Sequence, residues 1–375
     1  MSDIITANTE NKQDIVDFIN YVFSVAYTSH DFKKKLPKVY GDTAKEDAAS
    51  HYIIKKDNRI KAALSYRKIS VDVCGTTLKY GLIGNVSVHP YCRGEGYMTE
   101  LMNHVIEIAK SDGTDLMVLT GQRQRYGYFG FEPAGTKLRY TLTDTNIKHF
   151  LKDIDCSDIS FLSIENASNT EIDKIIRLYE MRPAHTLRDS DEYINIMSSW
   201  EEKTNLIFNY GQLVGYIYGA LSEIVLEDEE LLYPVIKTYF NISGTKTADI
   251  SVQPFEMRRA ELLHAICETS CIMPVSLIKV MNWENVLTAF LKLKAVTHLL
   301  PDSQITVKIE NEVLKLTLSS GIVTVEKAEM ETPDFCFCEK DALSLFFGLN
   351  GLVIQESETA SLSALPFVID RPDTF

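Results

Sequence analysis

The sequence predicts an α/β and α+β protein in which mixed sheets are flanked by helices, followed by a small α+β unit. Three observations carry this. Apolar residues recur at helical spacing in stretches such as QDIVDFINYVFSVAY (13–27), and they alternate as in strands in stretches such as IKAALSYRKISVDV (60–73). The order helix, strands, helix, strand then appears twice before a shorter α+β set closes the chain. At 375 residues the chain exceeds one ordinary domain, and roughly 100 to 200 residues per domain gives two or three.

Taken in order, Ile15, Phe18, Ile19, Val22 and Phe23 line one face of a first helix, with Thr9 and Asn11 as candidate caps. HYIIKK, a turn at Asp57-Asn58, IKAALSYRKISVDV, a turn at Cys74-Gly75 and TTLKYGLIGNVSV form an antiparallel series. Met98, Leu101, Met102, Val105, Ile106 and Ala109 mark a second helix, and DLMVLTG is the buried strand that follows a crossover. This first unit spans 1–150.

A second unit, 151–282, repeats the order: helices through IDKIIRLYEMRP and YINIMSSW, the hairpin NLIFNYGQLVGYIYGAL, the helical EELLYPVIKTYF and the strand ADISVQP. A third, 283–375, runs from the helix ENVLTAFLKLKAVTHLL through the strands ITVKIENEVLKLTLSSGIVTVEK and DFCFCEK to a helix at DALSLFFG and a short tail. There Leu343, Phe346, Phe347 and Leu349 are expected to pack a small core.

Composition narrows the function. Lys and Arg number 38 against 52 Asp and Glu, a formal net charge of −14, which disfavours a nucleic-acid surface and favours cationic partners. The polar start MSDIITANTENKQ and the lack of an apolar run of about 18 residues lead us to expect a cytoplasmic protein without membrane contact. The 7 cysteines form no CxxC pair, so reduced thiols are expected. His264, Cys267 and Cys271 could share a helical face and Cys336 and Cys338 a strand face, but no further ligand pair completes a metal site, and no metal is expected.

The chemistry concentrates in VSVHPYCRGEGYMTELM (86–102). A strand with exposed amides, glycines that let a ligand approach the backbone, and a helix N-terminus together present N–H donors and a positive dipole end suited to a pyrophosphate. Arg93 adds charge, and Gly94 and Gly96 remove Cβ atoms. An isolated RGxG is as readily a surface turn. Neither GxxxxGK nor GxGxxG is present here, which argues against a nucleoside triphosphate or dinucleotide.

In this setting VSVHPYCRGEGYM resembles the acetyl-coenzyme A signature of the GNAT N-acetyltransferases, R-x-x-G-x-G/A between a strand and a helix, with Arg93, Gly96 and Met98 in the defining places. Met98 stands where a small residue is usual. The resemblance implies that acetyl-CoA is the cosubstrate, that the amides of Val86 and Val88, around Ser87, hold the acetyl-pantetheine arm, and that the amides of Arg93, Gly94, Glu95, Gly96, Tyr97, Met98 and Thr99 wrap the pyrophosphate. TGQRQRYGYFGFEPAG (120–135) resembles a segment of the Eis-type (enhanced intracellular survival) acetyltransferases, which implies Tyr126 as general acid; on residue type alone it is equally a packed aromatic.

The Eis-type resemblance extends over the whole chain. It implies an N-terminal catalytic GNAT domain, a degenerate second GNAT domain and a C-terminal sterol-carrier-protein-like domain, assembled as hexamers. It also implies a base in the terminal carboxylate, here that of Phe375, although a free α-carboxyl near pKa 3.5 would need burial or would chiefly orient the ammonium. Glu227, Asp228, Glu229 and Glu230 stand where the first unit has Arg-Gly-x-Gly and would repel a pyrophosphate, so one active site per chain is expected. The acceptor implied is a cationic amine, polyamine-like or aminoglycoside-like, or a lysine side chain. The alternatives are a silent acetyl-CoA-binding regulator and a lipid carrier acting through the third unit.

Overall fold

The computed structural model describes residues 3–45, 47–328, 330–349 and 362–375. Strand β1 (Ile4–Thr6) leads into helix α1 (Lys12–Ala26), which buries Ile15, Val16, Phe18, Ile19 and Val22. Asn11 stands at its start, yet the Asn11 Oδ1 accepts from the Asn8 amide (3.4 Å) in the preceding turn and caps nothing in the helix. Two one-turn helices follow, α2 (Phe32–Lys35), capped by Asp31, and α3 (Pro37–Tyr40), opened by Pro37. β2 (Ser50–Lys56), β3 (Arg59–Val73) and β4 (Thr76–Val88) then form the expected antiparallel meander, with left-handed turns at Asp57-Asn58 and Cys74-Gly75. α4 (Tyr97–Ser111) crosses over to β5 (Leu116–Leu119), parallel to β4. Next come α5 (Arg123–Tyr126), β6 (Glu132–Ala134), β7 (Lys137–Thr143) and α6 (Asp144–Phe150).

The middle of the chain comprises β8 (Ile159–Ser163), α7 (Asn169–Glu180), β9 (Ala184–Thr186), α8 (Tyr193–Met197), β10 (Thr204–Asn209), β11 (Gln212–Tyr218) and β12 (Glu223–Leu226), then α9 (Leu232–Ser243), β13 (Thr247–Val252), α10 (Met257–His264), β14 (Thr269–Met273) and β15 (Ser276–Val280). A reciprocal capping box between Ser168 and Glu171 sets the start of α7. The last part holds α11 (Trp283–Thr297), β16 (Ser303–Ile309), β17 (Glu312–Ser319), β18 (Ile322–Lys327), β19 (Phe335–Phe337) and α12 (Glu339–Phe346).

Three strands cross the expected boundaries at 150 and 282. β15 inserts into the first sheet, whose order is β1-β2-β3-β4-β5-β15-β6 with β9 also on β3, while β7 sits between β13 and β14 in the middle of the chain. Further sheets run β12-β11-β10-β8 and β18-β17-β16-β19. β15 leads directly into α11, which packs between the first sheet and the last one, so a single apolar core joins Ile15, Val71 and Leu82 to Phe290, Leu316 and Phe347. Leu343 and Phe346 lie in that core. α4 covers the opposite face of the first sheet through Leu101, Met102 and Val105. Such continuous burial ties the first and third units together, while the middle of the chain buries its own cores around Ile207 and Tyr216.

The cysteine groupings expected from sequence do not form. α10 ends at His264 and Cys271 lies in β14, so His264, Cys267 and Cys271 share no helical face. Cys336 is in β19 but Cys338 stands just before α12, at its N-cap position and without a side-chain cap bond. Among the described residues no group of three or more His, Cys, Asp or Glu is placed to hold a metal ion, and no helix is long and apolar enough to cross a membrane.

Candidate active site

The site begins with a parting of strands. β4 pairs with β5 from Tyr80↔Leu116 to Ile83↔Leu119 and no further, so the stretch from Gly84 to Val88 has no β5 partner and its amides on that side face an open wedge. Opposite β3 the register slips, with Ser65 facing Gly84 but Ala63 facing Ser87, a β-bulge that puts Asn85 in the left-handed region (φ 53°). Polar contacts hold this bulge: Asn85 Nδ2 donates to the Tyr40 hydroxyl (2.6 Å), which also meets Ser65 Oγ (3.0 Å) and His51 Nε2 (3.1 Å). Burial drives the His51 imidazole down to about 4, so it is neutral near pH 7.

At the end of β4 the loop reaches α4 through Gly94 and Gly96, with φ of 86° and 84° and open space around each. Here glycine is demanded by the backbone conformation rather than by packing. No side chain caps α4, leaving its first amides directed at the cleft beside exposed Arg93. Arg93 makes no ion pair among the described residues.

The wedge opens into a cleft of about 910 Å³ lined by Val86, Val88, Arg93, Gly94, Gly96, Tyr97, Met98 and Thr99, and also by Tyr126 and Phe375. Two sequence candidates are set apart from it. The Ser87 side chain is buried and donates to the Asn85 carbonyl (2.8 Å), and the Glu95 carboxylate turns to the Tyr97 hydroxyl. Met98 fits by packing its thioether against the α4 core. Phe32 also lines the cleft, whereas nearby Asp31 caps α2 and Tyr40 supports the bulge.

Tyr126 ends α5 with its ring against Gly121, where a Cβ would collide. Burial pushes its hydroxyl above the ordinary tyrosine range, against a smaller opposing effect of Arg125, so it is protonated at neutral pH. Phe375 is buried beside Gly84, and a Cβ at residue 84 would run into its ring.

Sequence reading missed what holds Phe375 there. The Lys38 ammonium donates to the carbonyls of Pro372 and Thr374 (the latter at 2.7 Å), and burial first, then Arg67, lowers its pKa well below the usual lysine range. Trp200 Nε1 donates to Thr374 Oγ1 (3.0 Å), and the Arg371 guanidinium stacks over the Trp200 ring at 4.3 Å. Deeper, Arg188 meets Asp373 (3.0 Å) and Glu223 (2.9 Å), while Arg182 and Tyr179 both reach Asp370 (2.7 and 3.0 Å). Burial is the largest single effect on Asp370 and opposes its ionisation, but Arg182, Arg188 and the Tyr179 hydroxyl together hold that carboxyl below its usual range; Glu223 is pushed up by burial. Partners so far apart in the chain leave no local spacing signal.

In the middle of the chain the corresponding region after β12 is filled. Asp228 caps the following turn, Glu230 pairs with Arg258 (2.6 Å), and Arg259 binds Glu229 and donates to the Ile224 carbonyl (2.7 Å), putting a guanidinium where the first unit has an open wedge.

Residues 3–134 match the acetyltransferase (GNAT) domain family. No curated protein matches the chain. Among solved structures it is similar to a GCN5-related N-acetyltransferase from Kribbella flavida (12% identity, 100% of this chain and 99% of that one, TM-score 0.69). It is similar also to one from Anabaena variabilis (15%, 100% of both chains, 0.68) and to Eis1 from Mycobacterium abscessus (13%, 100% of both, 0.66). At such identities the likeness is one of fold, and it spans the full chain, including the sheets flanked by helices in the first two units. Residues 3–134 are a GNAT acetyltransferase domain, set in a chain with the mixed α/β fold of these N-acetyltransferases.

Proposed function

We propose that the protein is an Eis-type enzyme that transfers the acetyl group of acetyl-CoA to a primary amine in the cleft of the first unit, with Tyr126 as general acid and the carboxylate of Phe375 as the group that receives the amine. The single observation that carries this reading is convergence: Tyr126, Phe375, the free β4 edge and the Arg93–Thr99 loop, drawn from opposite ends of the chain, line one cleft. The third unit is read as sterol-carrier-like in architecture. Its apolar residues are used in packing against the first sheet, and its role here is to deliver the tail.

The chemistry follows from the parts. The first-turn amides of α4, with Gly94 and Gly96 in left-handed conformation and Arg93 beside them, suit the pyrophosphate of acetyl-CoA, and the unpaired edge from Gly84 to Val88 suits its pantetheine amides. The amine arrives as an ammonium, is attracted by the Phe375 carboxylate and loses a proton there or to water. Its lone pair attacks the thioester carbon, forming the C–N bond, and a strand amide stabilises the oxyanion. As the C–S bond breaks, the thiolate takes a proton from the Tyr126 hydroxyl, and a second proton, which nitrogen sheds on becoming an amide, restores the phenol. A raised tyrosine pKa keeps this acid loaded at neutral pH, but it lies above that of a thiol at about 8.5, so the proton passes to sulfur only as the thiolate forms beside it and the phenol is reprotonated from nitrogen.

The experiment is thiol release from acetyl-CoA with a panel of amines, for wild type, Tyr126→Phe and a variant with one glycine added after Phe375. Tyr126→Phe should lose about 10² to 10⁴ in kcat, and the extended variant should lose rate as well, with acetyl-CoA affinity kept in both. An extended variant at full rate removes the carboxylate from the mechanism; failure of wild type to bind acetyl-CoA removes the whole reading.

A further inference from the structure

The sequence-based expectation of a polyamine-like or aminoglycoside-like acceptor calls for acidic walls, since several ammonium groups must each be met by negative charge. Among the described residues no Asp or Glu side chain lines the cleft. Its charged side chains are Arg93, Arg125 and Arg371, and Phe375, whose carboxylate the reading above makes the group that receives the amine, lines the same cleft. Glu201, beside Trp200 in the chain, turns away to Lys35 (2.7 Å).

On the side away from Arg93 the wall is aromatic. Phe23 packs edge-on to Phe32 at 5.1 Å, His30 adjoins both, and Tyr27, Trp200 and the Phe375 ring continue the surface. Such a slot favours a flat apolar body through area and ring-edge contacts. Arg371 stands on this side, exposed, its guanidinium laid on Trp200 at 4.3 Å and joined to no carboxylate by an ion pair among the described residues. A small neighbouring cavity of about 170 Å³ is lined by Arg371 together with Glu202, Glu223, Glu256 and Asp370; the last three pair with Arg188, Arg259 and Arg182, and none of the four forms a salt bridge with Arg371 among the described residues. A stacked guanidinium keeps its outward N–H donors for a planar acid.

Resting on the acetyltransferase reading above, we infer that the acceptor is a single primary amine on a flat apolar or aromatic body that carries an acidic group at its far end. The amine lies at the Phe375 carboxylate, the body lies along Phe23, Tyr27, Phe32 and Trp200, and the acid meets Arg371. A polycation in the same place would bring an extra ammonium group against Arg371, whereas Arg93 is met by the coenzyme pyrophosphate; like charges about 4 Å apart repel strongly wherever the surroundings are partly dehydrated.

The test uses the full chain with acetyl-CoA and three acceptors: para-(aminoethyl)benzoate, phenethylamine and spermidine. Each is assayed by thiol release at low salt and at about 0.5 M salt, where the Debye length falls to a few ångströms. The expected order of kcat/KM is para-(aminoethyl)benzoate over phenethylamine by about tenfold or more, with spermidine lowest. Salt should reduce the first rate constant and raise the last, the opposite signs reporting attraction and repulsion. In Arg371→Gln the ratio between the two aromatic amines should fall to near one. Preference for spermidine, or an acid preference that survives Arg371→Gln, overturns the inference while leaving the acetyltransferase reading standing. Acetyl-CoA binding without transfer to any of the three also overturns it, whereas loss of acetyl-CoA binding itself overturns both.

Discussion

Arg188 and Asp373 meet at 3.0 Å with both side chains withdrawn from solvent, although 185 residues separate them. This pair ties the middle of the chain to the segment two residues before Phe375, and Glu223 shares the same guanidinium at 2.9 Å. Removing Asp373 leaves Arg188 dehydrated with Glu223 as its remaining carboxylate, and burial pushes that carboxyl toward its neutral form, so the buried charge is under-compensated. Asp373→Asn is therefore expected to cost roughly 3 kcal/mol of stability and to lower kcat by releasing the tail, while acetyl-CoA affinity is kept because the Arg93–Thr99 loop lies on other elements. Urea unfolding together with calorimetric titration of acetyl-CoA separates the two effects; equal loss of coenzyme affinity and rate would contradict the assignment.

Gly84→Ala probes the same tail from the opposite wall. A methyl group there would run into the Phe375 ring, and backbone on β4 cannot give way without disturbing the bulge at Asn85. The ring must move, and displacement by about 1 Å of a group that positions a reactant can cost on the order of 100-fold in rate. We expect kcat to fall by about tenfold or more with the KM for acetyl-CoA little changed. Steady-state kinetics in both substrates decides this, and an unchanged kcat would mean that the position of Phe375 is immaterial to turnover.

Local features were legible in the sequence for physical reasons. The spacing in 13–27 and 98–109 marked α1 and α4 because a helix buries one stripe, and Asp57-Asn58 and Cys74-Gly75 marked the turns because tight turns need left-handed residues. The RGEG loop could be read because Gly94 and Gly96 meet a backbone requirement within four residues. Short strands such as β6, β9 and β15 left no periodic trace. The crossing of β7, β9 and β15 between sheets was not legible either, since three to seven residues carry too little pattern to name a partner strand. Tail anchoring was equally hidden: Lys38 lies 336 residues from the carbonyl of Thr374, and nothing in VIDRPDTF distinguishes a docked end from a frayed one.

Gly96→Ala isolates the coenzyme loop. At φ 84° an added Cβ meets the following carbonyl, costing about 1–2 kcal/mol, although no neighbouring atom crowds the position. Strain that turns the first amides of α4 away from the cleft should raise the KM for acetyl-CoA by about tenfold and leave kcat at saturation close to wild type, because neither Tyr126 nor Phe375 belongs to this loop. Gly113→Ala, in a comparably left-handed turn at the other end of α4 (φ 70°), is the control for strain alone. Comparable KM effects in both variants would assign the loss to helix stability rather than to the amide cradle.

His51 gives the fold a pH dependence whose sign can be worked out. Its imidazole titrates at about 4 in the folded chain against 6.5 when unfolded, with burial as the main cause. Below pH 6.5 the unfolded chain takes up the proton more readily, so the stability contributed by the neutral ring is fully present above 6.5 and is lost as pH falls from 6.5 to about 4. Full loss corresponds to at most roughly 3 kcal/mol. The ring touches the Tyr40 hydroxyl, which in turn holds Asn85 in the β4 bulge, so protonation should loosen the acyl site before the chain unfolds. Urea midpoints at pH 7, 5.5 and 4.5 should fall more steeply for wild type than for His51→Gln, which cannot titrate. Parallel curves for the two proteins would place the acid sensitivity elsewhere, in carboxylates such as Asp370 whose folded-state pKa is depressed by Arg182.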